Sequence, residues 1–130
     1  MELKKALGEI FKKAQEEFNI KNTPQVHLKQ DEENYDKGIF GQTAYYNPNE
    51  QSIILFVTNR HPKDICRSFA HELVHHHQNE RGDLEGGENS PTYAQDDPHM
   101  RKMEMEAYLK GNMLFRDWED WMKNYRNTNS

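Results

Sequence analysis

The sequence predicts an α+β domain in which three helices pack against a small three-stranded sheet, antiparallel or mixed. Three stretches place apolar residues at spacings of three and four, which is typical of amphipathic helices. These predicted helices span residues 2–19, about 62–79 and about 99–125. Three short segments rich in β-branched and aromatic residues, separated by turn residues, predict strands. The predicted strands are about 25–29, 38–46 and 52–58. A chain of 130 residues has the length of one compact domain, so we expect a single domain over 1–130.

The second and third strands are expected to form a hairpin, because the connecting sequence NPNE is strong turn chemistry. Residues 52–58 are apolar on both faces, as in a central strand. Residues 38–46 contain two glycines and mixed polarity, which favours an edge strand.

The central helix is expected to start at Pro62, which suits a first helical turn, and to end before Gly82. Residues 81–98 form a long polar segment without periodicity, and a loop of this length in a compact domain is usually functional or mobile. Asp97 and Pro98 then predict the cap and the first position of the last helix. That helix could bend near Gly111. Its aromatic and methionine residues at helical spacing are expected to pack on the N-terminal helix: Trp118, Trp121, Met122 and Tyr125.

The composition argues against several classes of protein. With 17 Lys and Arg against 22 Asp and Glu, the net charge is −5, so we expect no nucleic-acid partner. No apolar run approaches the roughly 18 residues of a membrane span, so we expect no membrane association. Cys66 is the single cysteine, which favours a reducing compartment and predicts a cytoplasmic location. A monomer is expected.

The sequence His71-Glu72-Leu73-Val74-His75 is an HExxH motif inside the predicted central helix. Residues i and i+4 are neighbours on one helical face, so both imidazoles can reach one zinc ion. Glu72 lies about 100° around the helix from His71, which places it beside the metal as a general base for a bound water. His76 and His77 point about 100° and 200° away from His75 and are expected to be structural.

Catalytic zinc needs a third protein ligand. The pattern HExxHxxGxxH would place glycine at 78 and histidine at 81, where this chain has Gln78 and Arg81. A glutamate of the last helix is the alternative, and both Glu104 and Glu106 are candidates. Three residues near the site could stabilise an oxyanion, and the sequence does not choose among them. They are Tyr93, His99 and Tyr108.

These residues resemble the gluzincins, zinc peptidases of the HExxH type, and especially the minimal single-domain minigluzincins. The resemblance covers roughly residues 38–110 and implies a zincin-like fold and a glutamate ligand followed by a small residue at +3. Glu104, with Ala107 at +3, fits that pattern better than Glu106. The family usually has Asp or Asn at +4, where this chain has Tyr108.

The resemblance also implies a peptide substrate, held along edge strand 38–46 by backbone hydrogen bonds. The sequence therefore predicts a zinc peptidase with one zinc held by His71, His75 and Glu104, and with Glu72 as the base. Two alternatives remain open. One is a zinc hydrolase of a non-peptide amide or ester, and the other is a non-catalytic, metal-stabilised binding module.

Overall fold

The computed structural model describes residues 2–30, 43–84 and 97–129, with side chains described as far as 125. These ranges hold three helices and three strands in an α+β arrangement. The helices are α1 (Leu3–Phe18), α2 (Pro62–Glu80) and α3 (Pro98–Asn129). The strands are β1 (Gln25–Lys29), β2 (Ala44–Asn47) and β3 (Ser52–Phe56). The predicted coarse class and the positions of the helices are confirmed.

The sheet is mixed, with the strand order β1-β3-β2. β3 is parallel to β1, with Ile53 opposite Val26, and antiparallel to β2, with Ile53 opposite Tyr46. Ile53 and Leu55 are fully buried, as predicted for a central strand. The Asn47 carboxamide oxygen accepts hydrogen bonds from the backbone amides of Asn49 and Glu50 and closes the turn of the β2–β3 hairpin. The first part of the predicted strand 38–46, residues 38–42, lies outside the described residues.

β1 differs from the other strands because all five of its residues are exposed. Val26 and Leu28, which the alternation places on one face, are 38% and 39% exposed. They line a shallow apolar cavity beside Leu7 and Phe11 of α1. The β-strand was predicted correctly, but its apolar face is only half covered.

α1 forms because Ala6, Leu7, Ile10 and Ala14 make a single buried stripe. The helix ends where Asn19 adopts a left-handed conformation, with φ of 57°. The connection to β1 is then held by α2. The Glu80 carboxylate accepts hydrogen bonds from the backbone amides of Lys21 and Asn22.

α2 is the centre of the fold, since it packs against α1, α3 and the β2–β3 hairpin. His61 caps its first turn by accepting from the Lys63 amide, and Pro62 occupies the first helical position. The apolar side of α2 is buried. It consists of Ile65, Cys66, Phe69, Ala70, Leu73 and Val74. This packing leaves the histidine-bearing face of α2 turned toward α3.

α3 begins as predicted, with Asp97 accepting hydrogen bonds from the His99 and Met100 amides. The helix runs through Gly111 without interruption. A β-carbon on Gly111 would lie 2.9 Å from the His71 Cα atom, so the glycine permits close approach of two helices.

The packing predicted for the end of α3 is only partly right. Trp118 is buried and donates a hydrogen bond to Glu9 of α1, whereas Trp121 and Tyr125 are 44% and 56% exposed and stack on each other. Met122, the residue after Trp121, is partly buried against the core. Successive helical residues point about 100° apart, so Trp121 lies at the edge of the buried face of α3.

Among the described residues, no helix is long and apolar enough to cross a membrane.

Candidate metal centre

α2 places His71 and His75 one helical turn apart, with their ring centroids 4.9 Å from each other. Both side chains are mostly buried, at 15% and 13% exposed, and both present Nε2 to the same space between α2 and α3. The i, i+4 spacing of the motif therefore brings the two imidazoles together as expected.

Glu104 of α3 completes the group. Its Oε1 atom lies 2.8 Å from His71 Nε2, and its Oε2 atom lies 3.2 Å from His75 Nε2. Glu106 faces another way, toward Arg81, Gln78 and Lys110. Residues two positions apart on a helix point about 200° apart, so Glu104 and Glu106 contact different parts of α2: Glu104 contacts the two histidines and Glu106 contacts Gln78. The structure brings Glu104 to the histidines and leaves Glu106 outside the group.

The donor set of His71, His75 and Glu104 fits a zinc ion. Their ligand atoms all lie within 4.8 Å of one another, and within the described residues they form the one such group of at least three. Tetrahedral zinc with bonds of about 2.1 Å separates its ligand atoms by roughly 3.4 Å, so a small opening of the 2.8 Å contact admits the ion. Two imidazoles and one carboxylate are also a common ligand set of catalytic zinc. Metal binding itself stays a prediction.

Strong electrostatic coupling runs through this group in the metal-free protein. Burial acts to lower the pKa of His75, but its contacts with Glu104 and Glu72 raise that pKa to about 9. Burial acts to raise the pKa of Glu104, yet the two histidines hold that pKa well below its usual range.

Glu72 is 7% exposed and lies on α2 beside the two histidines. Burial raises the pKa of its carboxyl above the usual range, and the neighbouring His75 and His71 act in the opposite direction. A carboxyl group whose pKa is raised by burial is suited to accept and return a proton. The predicted base is therefore placed next to the predicted ligands.

The ring of His75 is fixed from its other side. Its Nδ1 atom lies 2.8 Å from Oε1 of Gln78, a side chain that is fully buried. The Gln78 amide in turn donates to the Met103 carbonyl and to Glu106. Sequence reasoning missed this residue, although a polar side chain three positions after a ligand on a helix is a usable signal.

The three candidates for oxyanion stabilisation are placed differently. The Tyr108 ring meets the His71 ring edge to face, with centroids 4.5 Å apart, so it supports the ligand by packing and lies at the site. His99 Nε2 bonds to the carbonyl oxygen of Asp83, which holds its imidazole at the start of α3. Tyr93 lies outside the described residues.

His76 and His77 lie away from the metal-binding face, as predicted. His76 is fully buried and donates from Nε2 to the Asn22 carbonyl, while the Tyr46 hydroxyl lies 2.7 Å from its Nδ1. His77 stacks on Phe18 of α1. Both histidines therefore join α2 to neighbouring elements.

Comparisons of the chain with protein-family models, with curated proteins and with solved structures find no match. The functional proposal therefore depends on the geometry of the site.

Proposed function

We propose that the chain is a zinc-dependent peptidase of the gluzincin type with a zincin-like fold. The observation that carries the proposal is the convergence of His71, His75 and Glu104 beside the buried carboxyl of Glu72. Two ligands from an HExxH helix and a third from a downstream helix are the arrangement that this class of enzyme uses. One zinc ion per chain would be held there.

When bound, zinc polarises a carbonyl group and lowers the pKa of a coordinated water to about 7. The residues of this chain then supply the remaining chemistry. Glu72 takes the proton of the attacking water and returns it to the leaving amine. Glu104 is 38% exposed, so water and a substrate would be able to reach an ion held beside its carboxylate from solvent.

The edge of the sheet offers a place for an extended substrate. β2 is the described part of the predicted strand 38–46, and among the described strands it pairs only with β3. Tyr46 of β2 contacts His76 of α2, so β2 packs on the helix that carries the motif, through a residue that points away from the three predicted ligands. A peptide could add to such an edge through backbone hydrogen bonds. We propose a monomeric cytoplasmic enzyme, in keeping with a single buried cysteine.

The test measures zinc content and peptide cleavage in the same samples. We expect about one zinc per chain in both the wild type and Glu72→Gln. A peptide library should be cleaved by the wild type, with a loss of roughly a hundredfold or more in Glu72→Gln because the proton acceptor is gone. Wild-type protein that takes up no zinc would overturn the proposal, as would undiminished cleavage by Glu72→Gln.

The same samples separate the two alternatives. A zinc-loaded wild type that cleaves esters or small amides but no peptide, with the reaction depending on Glu72, would favour a non-peptide hydrolase. A chain that Glu72→Gln leaves unchanged in every assay, while Glu104→Ala unfolds it, would favour a metal-stabilised binding module.

A further inference from the structure

Gln78 occupies an unusual position for an amide side chain. It is fully buried on α2, one turn after the motif, and every polar atom of its side chain has a partner. A buried amide costs free energy unless its hydrogen bonds are made, so its retention in this core needs a reason.

The partners of Gln78 fix the orientation of its amide group. Nε2 lies 2.9 Å from the carbonyl oxygen of Met103 and 2.8 Å from Oε1 of Glu106. Both partners only accept hydrogen bonds when Glu106 is ionised, so the amide must turn its NH₂ group toward them. Oε1 is then left to face His75 Nδ1 at 2.8 Å, and as an acceptor it requires a proton on that nitrogen.

The tautomer of His75 follows from this arrangement. With the proton on Nδ1, a neutral imidazole carries its lone pair on Nε2. Nε2 is the atom that faces Glu104 and shares the space with His71. The hydrogen bond therefore prepares His75 to bind a metal through the nitrogen that points into the site.

Glu106, the acceptor of the Gln78 amide, is itself held in place by two ion pairs. Glu106 is paired with Arg81 at the end of α2 and with Lys110 on α3. With these two cations beside it, the Glu106 carboxylate acts as the hydrogen-bond acceptor of the Gln78 amide.

We propose that Gln78 is a positioning residue for metal binding, which holds His75 in the Nδ1-protonated tautomer with Nε2 directed at the ion. Glu106, which the sequence offered as a possible ligand, acts behind Gln78 as its anchor. This inference rests on the metal-binding half of the proposed function and does not depend on the substrate.

The test compares zinc affinity, measured by competition with a chromophoric chelator, in the wild type and in Gln78→Met. Methionine keeps the volume but makes none of the three hydrogen bonds. We expect zinc to bind Gln78→Met roughly ten- to a hundredfold more weakly, as is usual when a partner behind a histidine ligand is lost. Cobalt substitution should show a changed visible spectrum, because the His75 ring is no longer held.

Tyr46→Phe is the matched control, because it removes a buried hydrogen bond from His76 on the same helix but away from the site. We expect it to destabilise the fold and to leave zinc affinity unchanged. Equal losses of affinity in the two variants would mean that Gln78 acts through stability alone and would overturn the inference.

A double exchange, Gln78→Glu with Glu106→Gln, tests the hydrogen bond in a second way and serves if Gln78→Met fails to fold. The new carboxylate can accept from His75 Nδ1, and the new amide can donate to that carboxylate. The exchange leaves the Met103 carbonyl without its donor, so we expect the exchanged pair to recover part of the wild-type zinc affinity. A folded double variant as weak as Glu104→Ala would overturn the inference.

The outcomes for this inference and for the proposed function are distinct. Equal zinc affinity in the wild type and a folded Gln78→Met contradicts the role of Gln78 and leaves the zinc peptidase proposal intact. A wild type that binds no zinc contradicts both. Zinc binding that depends on Gln78, in a chain that cleaves no peptide, supports the positioning role and counts against the peptidase.

Discussion

The backbone of Gly111 lies so close to that of His71 that a β-carbon at position 111 would come within 2.9 Å of the His71 Cα atom and 3.0 Å of its nitrogen. Two helices therefore touch through their backbones at the level of the first predicted ligand. Ala107, one turn earlier on α3, is also fully buried. These two small residues bring Glu104 within reach of the histidines.

Gly111→Ala should destabilise the protein, although alanine is the better helix former. The added methyl group meets backbone atoms that cannot rotate away, and overpacking of this kind costs about 1–3 kcal/mol. We also expect weaker zinc binding, since α3 must move and carry Glu104 with it. The free energy of unfolding from urea titrations and the zinc affinity are the measurements.

Gly8→Ala provides the control for that substitution. Gly8 lies inside α1, and a β-carbon there would have nothing within 4 Å. Alanine should stabilise this helix by about 0.5–1 kcal/mol and leave zinc affinity unchanged. Stabilisation by both substitutions would contradict the close contact between α2 and α3.

Glu104→Ala and Glu106→Ala should have different effects on zinc binding, because Glu104 is the proposed ligand and Glu106 holds Gln78. Because Glu104 faces both histidines, its loss should abolish stoichiometric zinc binding. Glu106→Ala should still take up about one zinc per chain, more weakly than the wild type, because Gln78 loses one of its acceptors. Elemental analysis of the purified variants decides this, and the opposite pattern would make Glu106 the ligand.

We expect the free energy of unfolding to fall at high pH because of the buried hydroxyl of Tyr46. Burial raises the pKa of its hydroxyl from 10.0 to about 12, despite the opposing hydrogen bond from Asn79. The folded state favours the neutral phenol. The contribution of Tyr46 to the free energy of unfolding is therefore complete below pH 10 and is lost as the pH rises toward about 12.

Tyr46→Phe is the comparison that isolates this effect from other groups that titrate at high pH. Below pH 10 the variant should be less stable by about 1–3 kcal/mol, since His76 loses its buried partner. The difference in unfolding free energy between wild type and variant should narrow above pH 10. A constant difference would mean that the pKa of Tyr46 is the same in the folded and unfolded states.

Cys66 should be unreactive in the folded protein. The thiol is fully buried in the core, and burial raises its pKa to about 11. A thiol-specific reagent should modify it only as the protein unfolds, so the rate of modification should follow urea concentration. Cys66→Ala combined with Arg67→Cys, which moves the thiol to the exposed neighbouring position, should react at once. Equal rates in the two proteins would contradict the burial of Cys66.

The parts of the site that are local in sequence were predictable, because one helical turn decides which side chains share a face. His71, Glu72 and His75 belong to this class. The choice between Glu104 and Glu106 was not derivable from spacing, since it depends on how Ala107 and Gly111 seat α3 against α2. Only the resemblance to gluzincins favoured Glu104.

The other differences between the sequence predictions and the structure also arise from contacts between elements that are distant in the sequence. In the sequence, Gln78 is notable only because it replaces the glycine of the HExxHxxGxxH pattern. Its role depends on Met103 and Glu106, which lie on another helix and which spacing does not relate to it. Helical spacing predicts Trp121 on the packed face of α3, but the structure leaves it exposed while Met122, the next residue, packs against the core. Hydrophobic periodicity predicts which face of a helix is buried, whereas the edge of that face depends on the neighbouring elements.

The two histidines lie far from Glu104 in the sequence, His71 by 33 positions and His75 by 29. An ion shared between them would act as a reversible cross-link that closes this length of chain. Ligand present at a hundred times its dissociation constant adds about 2.7 kcal/mol to stability. Cellular zinc supply would then govern how long the chain survives proteolysis, in addition to whether it can react.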